Sequence, residues 1–362
     1  MLLNWNDMNN QEIIANARKT GLLSELNFEN SSLSGADFSN LRLEKINFKN
    51  SNLIGANFDG ALISEVNFTH AKLQGAQFNQ SIIQDSNFSN ATLQNASVQS
   101  SNFNQCNFSN ADMTSMSGES TYFNNCELIN TKLINAKLPA AIWSNLIIRS
   151  TNFSNADLFR LIAHNLVFEK TIFNNTNLTK AQFNGGKLTE YTFPNCVLLM
   201  SSFDACNMKG SDFSNLDLTQ VNFNNANLDN ANFLNANGEY TSFISSSALK
   251  ANFNNTNFIM SSFSKAKLSS SNWRNAKITN SIFEEAELNG ANFEHAELDY
   301  TNFSNAKTEQ TNFNHANLYY ANIHGIKHAQ LDGGLQLKTT FKTDSDLLDA
   351  ENWKPLKNLP NR

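Results

Sequence analysis

Four cysteines, six histidines and a run of glutamates are the side chains through which this chain could do nucleophilic, metal or acid–base chemistry. Their spacing points elsewhere. Cys106, Cys126, Cys196 and Cys206 each stand two residues before a site of a regular inward series, in a slot filled mostly by small residues. That placement marks reduced packing residues, because reactive thiols sit in exposed, electropositive surroundings. Cys106 and Cys126 lie 20 residues apart, and parallel side chains in a filled core oppose a disulfide. His295 and His315 share that separation and can meet, but no third ligand accompanies them, so no metal site is assigned. Glu285, Glu287, Glu294 and Glu297 each follow a base, Lys265, Lys267, Arg274 or Lys277, by 20 residues, which makes them ion-pair partners rather than a catalytic carboxylate cluster. No Ser/His/Asp order, phosphate-binding glycine loop or Cys-x-x-Cys pair is present. The expectation is a chain that is not an enzyme and has no catalytic residue, cofactor or metal.

The same spacing organises the whole sequence. From Leu23 to Ile323 an apolar residue recurs at every fifth position without a slip, as in Phe28, Leu33, Phe38, Leu43, Phe48 and Leu53. Of the 29 phenylalanines, 27 fall on this series; Gly118, Ala163, Gly238, Ala248 and Thr308 are its exceptions. Two residues earlier the chain is mostly Gly, Ala, Ser, Thr or Cys, and the other three positions are mostly polar. Two inward and three outward residues per five fit neither the 3.6-residue helix nor the two-residue strand, which excludes helix bundles and ordinary sandwiches.

Segments such as Ala36-Asp37-Phe38-Ser39-Asn40 and Ala226-Asn227-Leu228-Asp229-Asn230 resemble the Ala-Asp/Asn-Leu-x-x unit of the pentapeptide-repeat family. The resemblance covers about 300 residues and implies an all-β solenoid: a right-handed, four-sided parallel β-helix. Four sides of five residues put residue n over n+20 at about 4.8 Å. The charges agree with that number. Thirteen opposite-sign pairs occur at n+20, among them Glu29/Lys49, Arg149/Glu169, Lys170/Glu190 and Glu287/Lys307, against two like-sign pairs. At n+15, which three sides would require, six like-sign pairs and no opposite ones occur. Asn135, Asn155, Asn175 and their successors to Asn275 form one corner ladder after Gly35, Gly55 and Gly75. Such a corner needs positive φ, and stacked amides can bond along the axis. Phenylalanine moves from one pair of opposing sides to the other between residues 98 and 153, and Gly238 with Ala248 leaves room for a void or a backbone shift.

About 15 coils are expected, a length of roughly 70 Å, with short helical caps at both ends. Residues 1–20 form the N-terminal cap, with Asn10 as N-cap, Ile13, Ile14 and Ala17 inward, Gly21 as stop and Trp5 in the plug. Residues 21–325 form the β-helix. Residues 326–362 form a C-terminal cap or dimerisation segment, with a helix from Asp344 to Trp353 before Pro355 whose apolar face is Leu347, Leu348 and Trp353. The formal charge of -6 and the 16% of charged residues exclude a basic nucleic-acid surface. Without a readable signal peptide or membrane span the expected compartment is the cytoplasm, and delivery as a secreted effector is compatible with the sequence.

A uniform solenoid suits a protein-interaction scaffold or a bacterial effector with a partner of unknown identity, and a homodimer through the C-terminal segment; no direct nucleic-acid or membrane binding is expected. The resemblance offers a second reading, because the family includes DNA-mimicking topoisomerase (gyrase) protection proteins of the quinolone-resistance and toxin-immunity kind. A 70 Å DNA mimic would match about 40 negative charges, whereas this chain has a net -6. Two outward apolar sets are candidate contact surfaces. Tyr122, Ile142 and Ile162, with Ile147 and Val167 on the next side and Ile172 beyond, form a patch bordered by Arg149, Arg160, Lys170 and Lys180. Met200, Tyr240, Met260, Tyr300 and Tyr320 form a corner stripe joined by Leu199, Ile259 and Tyr319. The patch is the stronger candidate because it spans adjoining sides.

Overall fold

At every fifth residue from Glu25 to Gly325 the backbone adopts positive φ. This rule is broader than the sequence implies, because all four corners of a coil need it and not the Asn/Gly corner alone. Asn and Gly tolerate the left-handed region best, yet Lys45, Arg160, Met200 and Tyr240 adopt it too, at 52 to 59°. On most sides the corner closes as a turn, as where Ser31 N–H donates to Phe28 C=O at 3.1 Å; positive φ at the third residue is what a type II turn requires.

The computed structural model describes residues 9–326, 331 and 333–352. The chain divides into two compact units, Met1–Asn207 and Met208–Arg362. Unit 1 opens with helix α1, Asn10–Thr20, which buries Ile13, Ile14 and Ala17. Its N-cap is Asn9 rather than Asn10: the Asn9 side chain accepts from the N–H groups of Gln11 and Glu12, and Glu12 reaches back to Asn9 N–H. This capping box needs its acceptor three residues before Glu12. Gly21 ends the helix at φ 74°. Trp5 lies outside the described residues.

Seven strands of unit 1 form one parallel sheet: β1 Leu22–Ser24, β2 Arg42–Glu44, β3 Leu62–Ser64, β4 Ile82–Gln84, β5 Asn102–Asn104, β6 Tyr122–Asn124 and, next to β6, β8 Ile142–Ser144. A second sheet contains β7 Glu127–Ile129, β9 Ile147–Arg149 and β10 Phe168–Glu169. Each residue pairs with the one 20 later, as in Leu23↔Leu43 and Phe103↔Phe123. The fold is therefore a four-sided parallel β-solenoid. Regular strand is shorter than the roughly 15 expected coils imply, with seven strands in the larger sheet. Where a corner closes by its turn hydrogen bond, only one residue of the side stays paired, and single bridges such as Asn27↔Asn47 carry the register.

The core is built from stacked rings. In unit 1, Phe28, Phe48, Phe68, Phe88 and Phe108 stack at 4.6 to 5.4 Å. Phe38, Phe58 and Phe78 form the opposing stack and meet the first edge-on. The handover to the other two sides follows, through Phe103/Phe123, Phe153/Phe173 and Phe183/Phe203. The small inward slots have a polar use that apolar periodicity does not reveal. Ser101, Thr121 and Thr176 donate from their hydroxyls to the carbonyls of Phe78, Val98 and Phe153 at 2.9 to 3.0 Å. Other hydroxyls of this slot, such as Ser51 and Ser246, donate within their own turn, to the carbonyls of Phe48 and Phe243 at 2.6 and 2.8 Å.

Unit 2 keeps the same register from Asp212↔Asn232 to Asn302↔Asn322. Gly238 does not leave a void. A Cβ at Gly238 would lie 2.1 Å from the Phe258 ring, and that ring packs edge-on against Phe233, Phe243, Phe253 and Phe263 at 5.5 to 6.2 Å. A large residue one coil away occupies the space that glycine vacates.

The C-terminal end departs from expectation. Leu335 and Phe341 pair with Asn317 and Asn322, at spacings of 18 and 19 residues instead of 20, so non-repeat backbone extends the ladder. Helix α2, Ser345–Asn352, buries none of its residues, and Leu347 is exposed. It is held by polar contacts, Glu351 to His324 at 3.2 Å and to Asn305 at 3.3 Å, rather than by an apolar face. Trp353 and Pro355 lie outside the described residues.

Gly238→Ala should destabilise the protein by about 1–3 kcal/mol through overpacking, and Phe258→Ala by about 3–5 kcal/mol, as measured by urea unfolding. A neutral Gly238→Ala would show that the Phe258 ring is not seated there.

Candidate partner-binding surface

Many outward asparagines satisfy one another, although Asn102, Asn254, Asn257 and Asn317 keep an unpaired side-chain oxygen. The Oδ1 of Asn27, Asn47 and Asn67 accepts the N–H two residues on, at Glu29, Lys49 and Thr69, at 3.0 to 3.1 Å. Their amides bond along the axis, Asn47 to Asn27 at 2.9 Å and Asn67 to Asn47 at 3.1 Å. The expected corner ladder is present as well: Asn175 donates to Asn155, Asn195 to Asn175, and in unit 2 Asn255 to Asn235, at 3.1 to 3.2 Å. A side chain of this kind locks the corner and leaves little for a partner to exploit.

The candidate patch lies where such ladders stop. On the side that carries Asn27 to Asn107, the outward series continues as Glu127, Ile147, Val167 and Lys187. On the neighbouring side Tyr122 pairs with Ile142, and Ile142 with Ile162. Register Ile148↔Phe168 sets Val167 over Ile147, and Ile172 pairs with Asn152 on the third side. Ile142, Ile147, Val167 and Ile172 are 39 to 48% exposed, large for aliphatic side chains with no hydrogen-bonding use. Tyr122 and Ile162 are half-buried. Arg149 at the margin binds Glu169 at 2.7 Å, and Arg160 lies over the Phe159 ring at 5.2 Å.

Two features were missed from sequence. Leu62 and Ile82 are exposed on the same side as Tyr122 and Ile142, and the 20-residue spacing that found those two would have found these. They line a surface cleft of about 330 Å³ with Arg42, Glu44, Ser64 and Gln84. The second is Tyr191, the one aromatic in a small inward slot, which its position in the five-residue series would have revealed.

The corner stripe belongs to two units. Met200 is exposed in unit 1; Tyr240, Met260, Tyr300 and Tyr320 are exposed in unit 2. Tyr300 and Tyr320 stack at 5.6 Å, Tyr319 meets Tyr320 edge-on at 4.5 Å, and Phe341 lies 5.8 Å from Tyr320. These rings partly cover one another.

Seven of the expected ion pairs close at 2.7 to 4.0 Å: Lys45/Glu25, Lys49/Glu29, Arg149/Glu169, Lys265/Glu285, Arg274/Glu294, Lys277/Glu297 and Lys307/Glu287. They are largely exposed, so each contributes about 1 kcal/mol or less. His295 and His315 stack at 4.9 Å; among the described residues no three His, Cys, Asp or Glu side chains converge as metal ligands. All four cysteines are buried and free. The Cys126 thiol donates to Phe103 C=O at 3.4 Å and the Cys206 thiol to Phe183 C=O at 3.0 Å, the same use the slot makes of hydroxyls. Burial pushes Cys196 up to about 11 and Cys206 up to about 12, and raises Cys106 well above its ordinary value. No helix among the described residues is long and apolar enough to cross a membrane.

With this geometry in view, the class of protein is clear: a four-sided β-solenoid built of five-residue units. The profile described as "Pentapeptide repeat region" matches residues 22–98, 186–258 and 256–334, and "Pentapeptide repeats (8 copies)" matches 86–116, 126–160 and 151–190. The chain belongs to the pentapeptide repeat family. No curated protein matches it. Among solved structures it is similar to QnrB1, a plasmid-mediated fluoroquinolone resistance protein, at 15% identity and TM-score 0.39 over 48% of this chain and 92% of that one. It is similar to HetL, involved in heterocyst differentiation regulation in the cyanobacterium Nostoc, at 16% identity and TM-score 0.19 over 90% and 99%. A pentapeptide repeat protein of the Arabidopsis thaliana thylakoid lumen gives 25% identity and TM-score 0.22 over 34% and 71%.

The buried thiols should resist a water-soluble disulfide reagent at pH 8 in the folded protein, where Cys196 and Cys206 are still protonated, and all four should react on unfolding in guanidinium. A rapid native-state reaction would place a thiolate at the surface.

Proposed function

We propose that this protein is a non-catalytic interaction scaffold that engages a polypeptide partner through the apolar surface of unit 1. One observation carries the reading: beyond Asn107 and Glu127 the outward asparagine series becomes Ile147 and Val167, exposed aliphatic side chains that adjoin Ile142 on one neighbouring side and Ile172 on the other. Aliphatic side chains gain from being covered, about 25 cal/mol per Å² removed from water, and an exposed apolar patch of this kind marks contact surfaces. Exposed β-branched residues also suit strands for their own sake. The patch differs from that ordinary use in spreading over three sides. An effector role, whether in the cell or after delivery to a host, is one form such a scaffold can take.

Topoisomerase protection is the second reading, favoured by family membership alone, since a net charge of -6 is far below what a DNA mimic of this length would carry. Against it, seven of the acids are neutralised by a base one coil away, and a mimic of DNA needs unpaired negative charge at close spacing.

The test combines Ile142→Ser, Ile162→Ser and Val167→Ser, which leaves every inward residue in place. Thermal stability should change little, and capture of a partner from bacterial lysate should fall at least about tenfold, as expected from losing two or three buried aliphatic contacts. Undiminished capture by the folded variant would remove this surface from consideration. The intact protein should also fail to rescue gyrase supercoiling from a quinolone at stoichiometric amounts; full rescue would put the second reading first.

A further inference from the structure

Tyr191 occupies a slot that elsewhere takes small or aliphatic residues, and its bulk changes how two coils meet. The ring is buried, tilted beside Phe173 at 6.3 Å and Phe193 at 6.4 Å, and its hydroxyl accepts the Thr171 N–H at 2.9 Å. One coil earlier the ladder is regular: the N–H groups of Ser150, Phe153 and Ile172 donate to the carbonyls of Glu169, Ile172 and Thr151 at 2.8 to 2.9 Å. The equivalent bonds one coil later, Lys170 to Thr189, Phe173 to Thr192 and Thr192 to Thr171, are not made among the described residues. A surface cleft of about 330 Å³ opens there, lined by Val167, Phe168, Lys170, Lys187, Thr189 and Tyr191 together with Glu169. A second cleft of about 250 Å³ shares Lys170, Thr189 and Tyr191 and reaches Thr171, Glu190 and Thr192.

The side chains left over are mostly donors, and each missing inter-coil bond leaves one backbone N–H and one carbonyl. Thr189 Oγ1 is buried without a hydrogen-bond partner, a cost to the fold unless something fills its need. Lys170 and Lys187 form no ion pair among the described residues, although Lys170/Glu190 has the 20-residue spacing that pairs other charges. Glu169 is engaged by Arg149, which leaves Glu190 as the remaining acid. Two ammonium groups, a hydroxyl and released backbone N–H groups, beside an apolar wall from Val167 and Phe168, suit a singly charged, planar acceptor next to an apolar group. Glu190 at the same rim would repel a phosphate dianion about twice as strongly as a singly charged carboxylate.

We propose that this cleft receives a carboxylate, from an Asp or Glu side chain or a C-terminus, on a polypeptide whose neighbouring apolar residue rests on Val167 and Phe168. The proposal rests on the scaffold reading and names the chemistry of the partner. The released carbonyls of Thr171, Thr189 and Thr192 accept N–H groups from the incoming backbone, as a sheet edge does in strand addition.

The test is affinity selection from a soluble synthetic peptide library with free C-termini on the immobilised full-length protein, followed by fluorescence-polarisation titration of the best binder. The expected binder carries a carboxylate beside an apolar residue. C-terminal amidation or Asp/Glu→Asn/Gln replacement tells which carboxylate is used, and the effective one should weaken binding at least about tenfold. Lys170→Gln with Lys187→Gln should do the same. Tyr191→Thr should abolish binding by restoring the small slot, with folding checked by circular dichroism. Binders that lack a carboxylate, binders indifferent to the lysine pair, or no binder at all would overturn the proposal. If binding follows Ile142→Ser with Ile162→Ser but ignores the lysines, the scaffold reading survives and the cleft assignment fails. If it follows the lysines and ignores the isoleucines, the cleft stands and the broader surface fails.

Discussion

A backbone that must turn through positive φ every five residues governs the rest of this molecule. Each corner leaves room for one large and one small inward side chain, and hence for a core made of a single ring or branched chain per side. Because the turn falls at the same place in every unit, residue n lies over n+20, and like stacks on like. Phe68 over Phe88 at 4.6 Å, Asn195 over Asn175 at 3.1 Å and His315 over His295 at 4.9 Å are three outcomes of one register. The strain of placing Met200 or Tyr240 in the left-handed region is repaid by the coil-to-coil hydrogen bonds that the same corner makes, such as Lys180 N–H to Leu199 C=O at 2.9 Å.

That register also explains the polarity of the exterior. An outward Asn bonds its own turn and the Asn of the coil beside it, so a row of them approaches full satisfaction without water. Charged residues one coil apart do the same less strongly. Against this background an outward Ile or Val stands out, since it gains nothing from its neighbours along the axis except contact. Function in such a fold is therefore sought where the ladder is interrupted, and in unit 1 interruptions of two kinds adjoin: exposed aliphatic side chains, and the inter-coil bonds displaced by Tyr191.

The core shows how closely a coil depends on the next. Gly238 is not a defect, because the Phe258 ring leans into its place from one coil away. Tyr191 is the opposite case, where an inward residue too large for its slot opens the surface above it. Interior volume is conserved across neighbouring coils rather than within each one, as close packing requires.

Much was legible in the sequence because a five-residue period has one geometric solution here. The inward series, the 20-residue register, the buried cysteines, the corner amides and the outward exposure of Ile142, Ile147, Val167 and Ile172 all follow from counting, since every unit sees the same surroundings. Counting fails where surroundings change. It placed the helix cap at Asn10 instead of Asn9, gave α2 an apolar face that its described residues do not bury, and left room for a void at Gly238. It could not foresee that Leu335 and Phe341 would continue the ladder at irregular spacing, nor that Tyr191 would take the Thr171 N–H where neighbouring inter-coil bonds are missing. Periodicity records what each residue does on average, whereas caps, ends and oversized side chains are decided by the particular atoms packed against them, and those contacts exist only in the tertiary structure.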